Sequence, residues 1–272
     1  MIRRALIAFL LLSGPALAAD PPQNEPGQEA MLAHRAAYRL SLDQARDNSG
    51  VAAAAGIMLF EVVDACDAWA SRQRFTLIIE DRDGNRIETS SDYATLEGKN
   101  GRALRFSLTQ TTEGAVTARV AGEAEATQEG GKVRYTEPEA REMALPPGTM
   151  LPTIHTIRAL AAARNGRRLL IGPLFDGTTA DGAQDTTTVI AGGWLAPQAD
   201  PRFPALAQLG SARMRIAFFG RDQSQSGGAS TPDYEVSLRY YENGVADDIT
   251  MDFGGFTVKG ELAELQPIPS PC

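Results

Sequence analysis

Residues 233–241 read DYEVSLRYY, and their alternation decides the fold class. Tyr234, Val236, Leu238 and Tyr240 fall on one side, with Glu235, Ser237 and Arg239 on the other. Successive side chains of a strand point to opposite faces, so a two-residue period predicts a strand with one buried face. Asn243-Gly244 follows after Glu242, a dipeptide suited to the positive backbone angles of a tight hairpin turn. The next run, VADDITMDF (245–253), alternates again: Ile249, Met251 and Phe253 oppose Asp248, Thr250 and Asp252.

The same pattern spreads outward in both directions. RFTLIIE (74–80) aligns Phe75, Leu77 and Ile79; RALRFSL (102–108) aligns Leu104, Phe106 and Leu108; SARMRIAFF (211–219) aligns Met214, Ile216 and Phe218. Asp83-Gly84, Asn100-Gly101 and Gly130-Gly131 supply further turn signals between alternating runs. The chain therefore predicts a succession of antiparallel hairpins. One segment departs from it. LPTIHTIRALAAARNG (151–166) places Pro152 where a first helical residue belongs, Ile154, Ile157 and Leu160 at helical spacing, and Gly166 at a stop position. This predicts one amphipathic helix lying on or inside a curled sheet. DPRFPALAQLG (200–210) suggests a second short helical turn.

The N-terminus sets the compartment. MIRR is basic, ALIAFLLLSGPALA (5–18) is apolar, and Ala16-Leu17-Ala18 has the small-x-small form of a cleavage site, so residues 1–19 read as a secretory signal peptide. The apolar stretch is shorter than the ~20 residues of a membrane-spanning helix. No later stretch is apolar enough to cross a bilayer, so a soluble, exported protein is expected. Residues 20–31 are polar and Pro-rich, a flexible lead-in, and 32–272 read as one β-rich domain. Removing Arg3 and Arg4 with the signal leaves 24 basic against 34 acidic residues, net −10. Such a balance repels phosphate backbones and argues against nucleic-acid binding.

The chain has two cysteines, Cys66 and Cys272, the latter its final residue. In an oxidising compartment an isolated pair is normally a disulfide. Closing so long a loop stabilises by roughly 5 kcal/mol in the loop-entropy model, an upper figure. A redox thiol pair would normally show CxxC spacing or a neighbouring histidine, and this pair shows neither.

Chemistry-bearing motifs are sparse. His34 and His155 are the two histidines. His155 lies beside the apolar stripe of the expected helix and reads as a packed or hydrogen-bonded side chain, since no serine-nucleophile elbow accompanies it. The histidines and cysteines lack the spacing of zinc ligands. EDRDGNRIE (80–88) fails the ligand order of a calcium loop and makes a good hairpin turn instead. PLFDGTTADGAQDTT (173–187) reads as a strand followed by a solvated loop. Asp248 and Asp252 could do acid–base work as a pair, but they read as the wet side of a strand. No catalytic residue, cofactor or metal site is assigned, and an enzyme is not expected.

Three stretches carry a family resemblance: LAHRAAYRLSLD (32–43), LPPGTMLPTIHTIRALAAARNG (145–166) with PLFDG (173–177), and YEVSLRYYENGVADDITMDFGGF (234–256). They resemble the EipB-type cell-envelope integrity proteins, periplasmic proteins of Gram-negative bacteria, over Leu32 to Cys272. The P-T-x-H-T helix start at Pro152–Thr156 and the Y-E-N-G-V hairpin at Tyr241–Val245 are its most specific pieces. The resemblance matches Cys66 to the family's internal cysteine and Cys272 to its terminal one. It implies a many-stranded, spiral-like antiparallel sheet or partly open barrel, curled around a helix and closed by that disulfide. Its concave face would be similar to that of periplasmic lipoprotein carriers. The family pattern leads to a tyrosine at Phe253, and the family carries no established catalytic residues.

Three functions follow as competing expectations. The first is an envelope-maintenance factor binding a lipid, a lipidated protein or a periplasmic protein partner in the curled sheet. The second is a hydrolase of envelope polymers using His155, Asp248 or Asp252. The third is a structural assembly protein without a small ligand. An apolar concavity, a polar cleft holding two carboxylates, and a filled interior would respectively favour them.

Overall fold

The structure is a computed structural model that describes residues 27, 30–198, 202–221 and 231–272. The expected signal peptide and most of the lead-in lie outside the described residues. The alternating runs form β1 His34–Ala45, β2 Val51–Asp64, β3 Ala68–Asp81, β4 Arg86–Gly98, β5 Ala103–Thr112, β6 Ala115–Thr127, β7 Gly130–Glu137 and β8 Arg141–Leu145. Helix α1 spans Pro152–Arg164, and β9 Leu169–Leu174, β10 Gln184–Leu195, β11 Ser211–Phe219, β12 Tyr234–Tyr241, β13 Ala246–Asp252 and β14 Phe256–Pro267 follow.

These strands make a single antiparallel sheet in the order β8-β7-β6-β5-β4-β3-β2-β1-β14-β13-β12-β11-β10-β9. Strand β1 is central, pairing β2 on one side and β14 on the other. The chain lays hairpins outward from β1 to the β8 edge, crosses through α1 to the opposite edge at β9, and returns inward to β14. No ladder joins β8 to β9 among the described residues, so the curl is not closed into a barrel. The crossing chain touches the far edge once, where Met150 bridges Leu174 in parallel.

The sheet wraps α1 because the inward side chains need a partner to exclude water. Glu97 on β4, Thr188 on β10 and Tyr240 on β12 each hydrogen-bond a residue of the helix, which places α1 within the curl. The helix begins at Pro152 and ends in a Schellman arrangement: the Gly166 and Arg167 N–H groups donate to the Ala163 and Ala162 carbonyls, with Gly166 at φ +71°. Burial extends beyond the expected Ile154, Ile157 and Leu160 to His155, Ala159, Ala162 and Ala163. The helix is thus buried over more than one stripe, and its alanines let strands approach from several sides. At Gly101, φ is +66° and a Cβ would fall 2.5 Å from Ile154; only glycine serves this turn against the helix.

Side chains fill the interior in three clusters. The largest combines Leu40, Leu77, Met214, Val258 and Leu262 with Ala159 and Leu160 of α1. A second gathers Leu104, Val133 and Leu151 around Phe106, Tyr135 and Phe175, three rings set edge-on with centroids 5.3–6.3 Å apart. The third packs Ala33, Val62 and Trp69.

Three local expectations differ from the structure. Gly130-Gly131 open β7 rather than forming its turn, because Gln128 and Glu129 lie between the strands. The stretch after β9 is not a solvated loop: Phe175, Gly177 and Ala183 are buried, because Phe175 anchors it in the second cluster. Met31, at the end of the expected flexible lead-in, packs against the third cluster, and Leu32 N–H donates to the Asn243 carbonyl at 2.9 Å. The expected helical turn after β10 is a short 3-10 turn, Pro204–Leu206.

Candidate functional site

Helix α1 starts without a side-chain cap of its own, since the Leu151 side chain carries no acceptor. The first amides of a helix need acceptors when buried. Glu97, at the end of β4, supplies them: its carboxylate accepts the Thr153 N–H at 2.7 Å and the Ile154 N–H at 3.1 Å. Burial raises the Glu97 carboxyl to about 7, against the opposing effect of those N–H groups. Sequence reasoning missed Glu97. The available signal was a glutamate in phase with inward-facing Tyr93 and Thr95, together with a helix start lacking Ser, Thr, Asp or Asn at its cap.

His155 is buried one residue further along, its Nε2 2.8 Å from Thr188 Oγ1. Burial lowers its pKa to about 4. It is a hydrogen-bonded core histidine. Asp248 and Asp252 lie elsewhere. Asp248 projects outward to Arg213 at 2.9 Å and Arg239 at 3.8 Å, while Asp252 accepts the Gly254 N–H at 2.7 Å and closes the following turn. The three residues considered for a hydrolase do not converge. The buried carboxylate of β13 is instead Asp247, which accepts the Leu262 N–H at 3.1 Å and pairs with Arg202.

The cysteines meet at the helix N-terminal end of the sheet. Cys66 in the β2–β3 turn is bonded to Cys272, with Cα atoms 5.5 Å apart across 206 residues of sequence. Asp64 organises this clasp, accepting from Cys66 N–H at 2.9 Å, Lys99 Nζ at 2.5 Å and Ser270 Oγ at 3.0 Å. Burial would raise the Asp64 carboxyl, but those donors outweigh it and hold it below its ordinary value. Lys99 also lies 4.7 Å from the Trp69 ring centroid, a cation–π contact. The C-terminal tail is thereby tied to the turn that carries Glu97 into the helix.

The end of the curl remote from the clasp is different in character. Inward positions there carry Phe218, Tyr234, Phe253 and Phe256, with successive centroids 5.9, 6.0 and 5.3 Å apart. Tyr234 and Phe256 pack on the core, and Phe253 remains 42% exposed. Ile79 and Ile87 are paired across β3 and β4 at the same end, with Ile87 51% exposed. This apolar mouth contrasts with a groove of about 380 Å³ on the outer face between Arg35, Leu59, Arg72 and Glu264. The groove's arginines are paired: Arg35 with Glu61 and Arg72 with Asp92. Among the described residues, the aromatic mouth presents a connected run of apolar side chains. Among the described residues, no helix is long and apolar enough to cross a membrane.

Comparison with known proteins agrees with this architecture. A family model described as EipB-like matches residues 26–269. The chain is 27% identical over 240 residues to the cell envelope integrity protein EipB of Brucella abortus (strain 2308), covering 86% of this chain and 84% of that protein. Its fold is similar to the crystal structure of a beta-barrel-like protein of domain of unknown function DUF1849 from Brucella abortus. That match has a TM-score of 0.78 at 26% identity, covering 88% of this chain and 99% of the other. With the family match spanning nearly all of the sheet, the chain belongs to the EipB-like family.

Proposed function

We propose that this protein is a periplasmic cell-envelope integrity factor that works by binding rather than catalysis, its aromatic mouth taking an acyl chain. The envelope role is supported by the name of the Brucella abortus relative. The observation that carries the binding reading is the continuous inward run Phe218–Tyr234–Phe253–Phe256, left partly uncovered at Phe253. Burying an exposed apolar side chain of this size against an acyl chain is favourable by about 1.5–3 kcal/mol. The separation of His155 from Asp248 and Asp252 weighs against the hydrolase.

The acyl chain could come from a free lipid or from a lipidated protein. Mass spectrometry of lipids retained by protein purified from its own periplasm tests the first source; binding of a diacylated lipopeptide tests the second. Phe253→Glu should abolish retention while leaving the thermal transition nearly unchanged. Protein that carries no lipid and takes up no lipopeptide would contradict the reading. In that case the packed interior around α1 favours the structural assembly protein.

A further inference from the structure

The sheet has two ends, and they are finished differently. Strand β8 (REMAL) is short and charged at its start, and Arg141 donates to the Ala180 carbonyl beside it. Short, charged edges resist pairing with other chains. Strand β9 (LLIGPL) is one residue longer and carries no charge, its proline standing near its end. Ile190 N–H donates to the directly opposite Arg168 carbonyl, so the bonded positions of the β9–β10 ladder are Arg168, Leu170, Gly172 and Leu174. In an antiparallel pair these alternate with positions whose N–H and C=O point away. Leu169, Ile171 and Pro173 are those positions. Pro173 has no N–H, and its carbonyl accepts from Met150. Leu169 and Ile171 keep both backbone groups on an edge with no backbone partner among the described residues. Their side chains are 50% and 67% exposed, beside Val189 at 41%.

We infer that the β9 edge is a strand-addition site for an extended segment of a partner protein, running antiparallel with the pattern aliphatic-x-aliphatic-x-acidic. This inference is independent of the aromatic mouth. Two residues offering four backbone groups in strand phase fix the occupant as an extended peptide. The aliphatic positions would stand opposite Ile171 and Leu169, where cross-strand neighbours share a face. The acidic position would stand opposite Arg167, which with Arg168 is exposed and makes no side-chain pair among the described residues.

A second copy of this chain fits less well. Antiparallel pairing of two β9 strands that sets Ile171 against Leu169 also sets Arg167 against Pro173. There Met150 already occupies the edge, so each copy's crossing segment would obstruct the other. A free segment meets no such obstacle.

The test uses the exported, disulfide-bonded protein and a blocked hexapeptide, Val-Thr-Val-Thr-Glu-Thr, followed by amide exchange and chemical-shift mapping. Exchange at the Leu169 and Ile171 amides should be fast in the free protein and slow at least about tenfold when peptide is bound, since such protection follows the bound fraction. Ile171→Pro in the protein should weaken binding about tenfold, close to the loss of one net hydrogen bond, and N-methylation of both valines, which removes two, should weaken it by about a hundredfold. Pro173 already occupies an equivalent edge position, so Ile171→Pro should leave the β10 ladder intact. Arg167→Glu provides a variant that leaves the strand untouched: it should reject the glutamate peptide and accept one with lysine in its place. Protection mapping elsewhere, equal binding of the N-methylated peptide, no response to the charge exchange, or a concentration-dependent dimer that protects Leu169 and Ile171 would each overturn the inference.

Discussion

Glu97 closes the start of α1 by accepting the Thr153 N–H at 2.7 Å, so a side chain from β4 does the work that a local cap does in most helices. The consequence reaches past local stability, because Glu97 leads directly into Lys99 and the Asp64 clasp. Helix, sheet and C-terminal tail share one polar junction.

Removal of that carboxylate should be costly. Glu97→Ala leaves the Thr153 and Ile154 N–H groups buried without acceptors, at about 1–3 kcal/mol for an unsatisfied group. Glu97→Gln keeps one acceptor and should lose less. Denaturant unfolding of the two variants at pH 7 checks the order; equal losses would mean that the acceptor retained by glutamine contributes nothing to the cap.

The pH response of the same helix end follows from two opposite shifts. Glu97 is raised from 4.5 to about 7, so its favourable contribution is complete below pH 4.5 and is lost as pH rises towards 7. His155 is lowered from 6.5 to about 4, so its contribution is complete above pH 6.5 and is lost as pH falls towards 4. Each shift corresponds to about 3 kcal/mol, and between pH 4.5 and 6.5 they oppose one another. Glu97→Gln should therefore make stability rise with pH across that window, and His155→Gln should make it fall. Parallel unfolding curves for both variants would contradict the assignment.

The disulfide should carry much of the resistance to unfolding. Alkylation of exported protein should label no thiol before reduction and both Cys66 and Cys272 after it. Cys66→Ser should lower the thermal midpoint, with a stability loss of up to about 5 kcal/mol in the loop-entropy model. Free thiols in periplasmic material would contradict this.

Leu160 tests the helix core. It is buried against the sheet, and Leu160→Ala should cost about 2–5 kcal/mol, the range for a core cavity. A loss near zero, read by denaturant unfolding, would mean that α1 is not held inside the curl.

Strand alternation made the hairpins legible in DYEVSLRYY and its neighbours, because the two-residue period records which face is dry. Pro152 and Gly166 marked the helix for equally local reasons. Glu97 was hidden because its role depends on which strand end the curl brings to the helix, a contact 56 residues away in sequence. Asp247 stands in phase with inward Ile249 and Met251, so alternation alone placed it on the dry face, but its partners Leu262 and Arg202 lie 15 and 45 residues away in sequence and required the fold. Phe175 could have warned that the stretch after β9 is packed. The aromatic mouth lies in residues already assigned to inward faces, but their meeting across β11 to β14 required the sheet order.

The central claim is envelope maintenance by binding at the aromatic mouth, and detergent sensitivity of depleted cells measures it most directly. Depletion should sensitise cells to detergents, and wild-type protein should restore resistance. His155→Ala and Asp248→Ala should restore it at matched abundance, whereas Phe253→Glu should not, despite normal folding and abundance. Full rescue by Phe253→Glu, or loss of rescue by folded Asp248→Ala, would contradict the account.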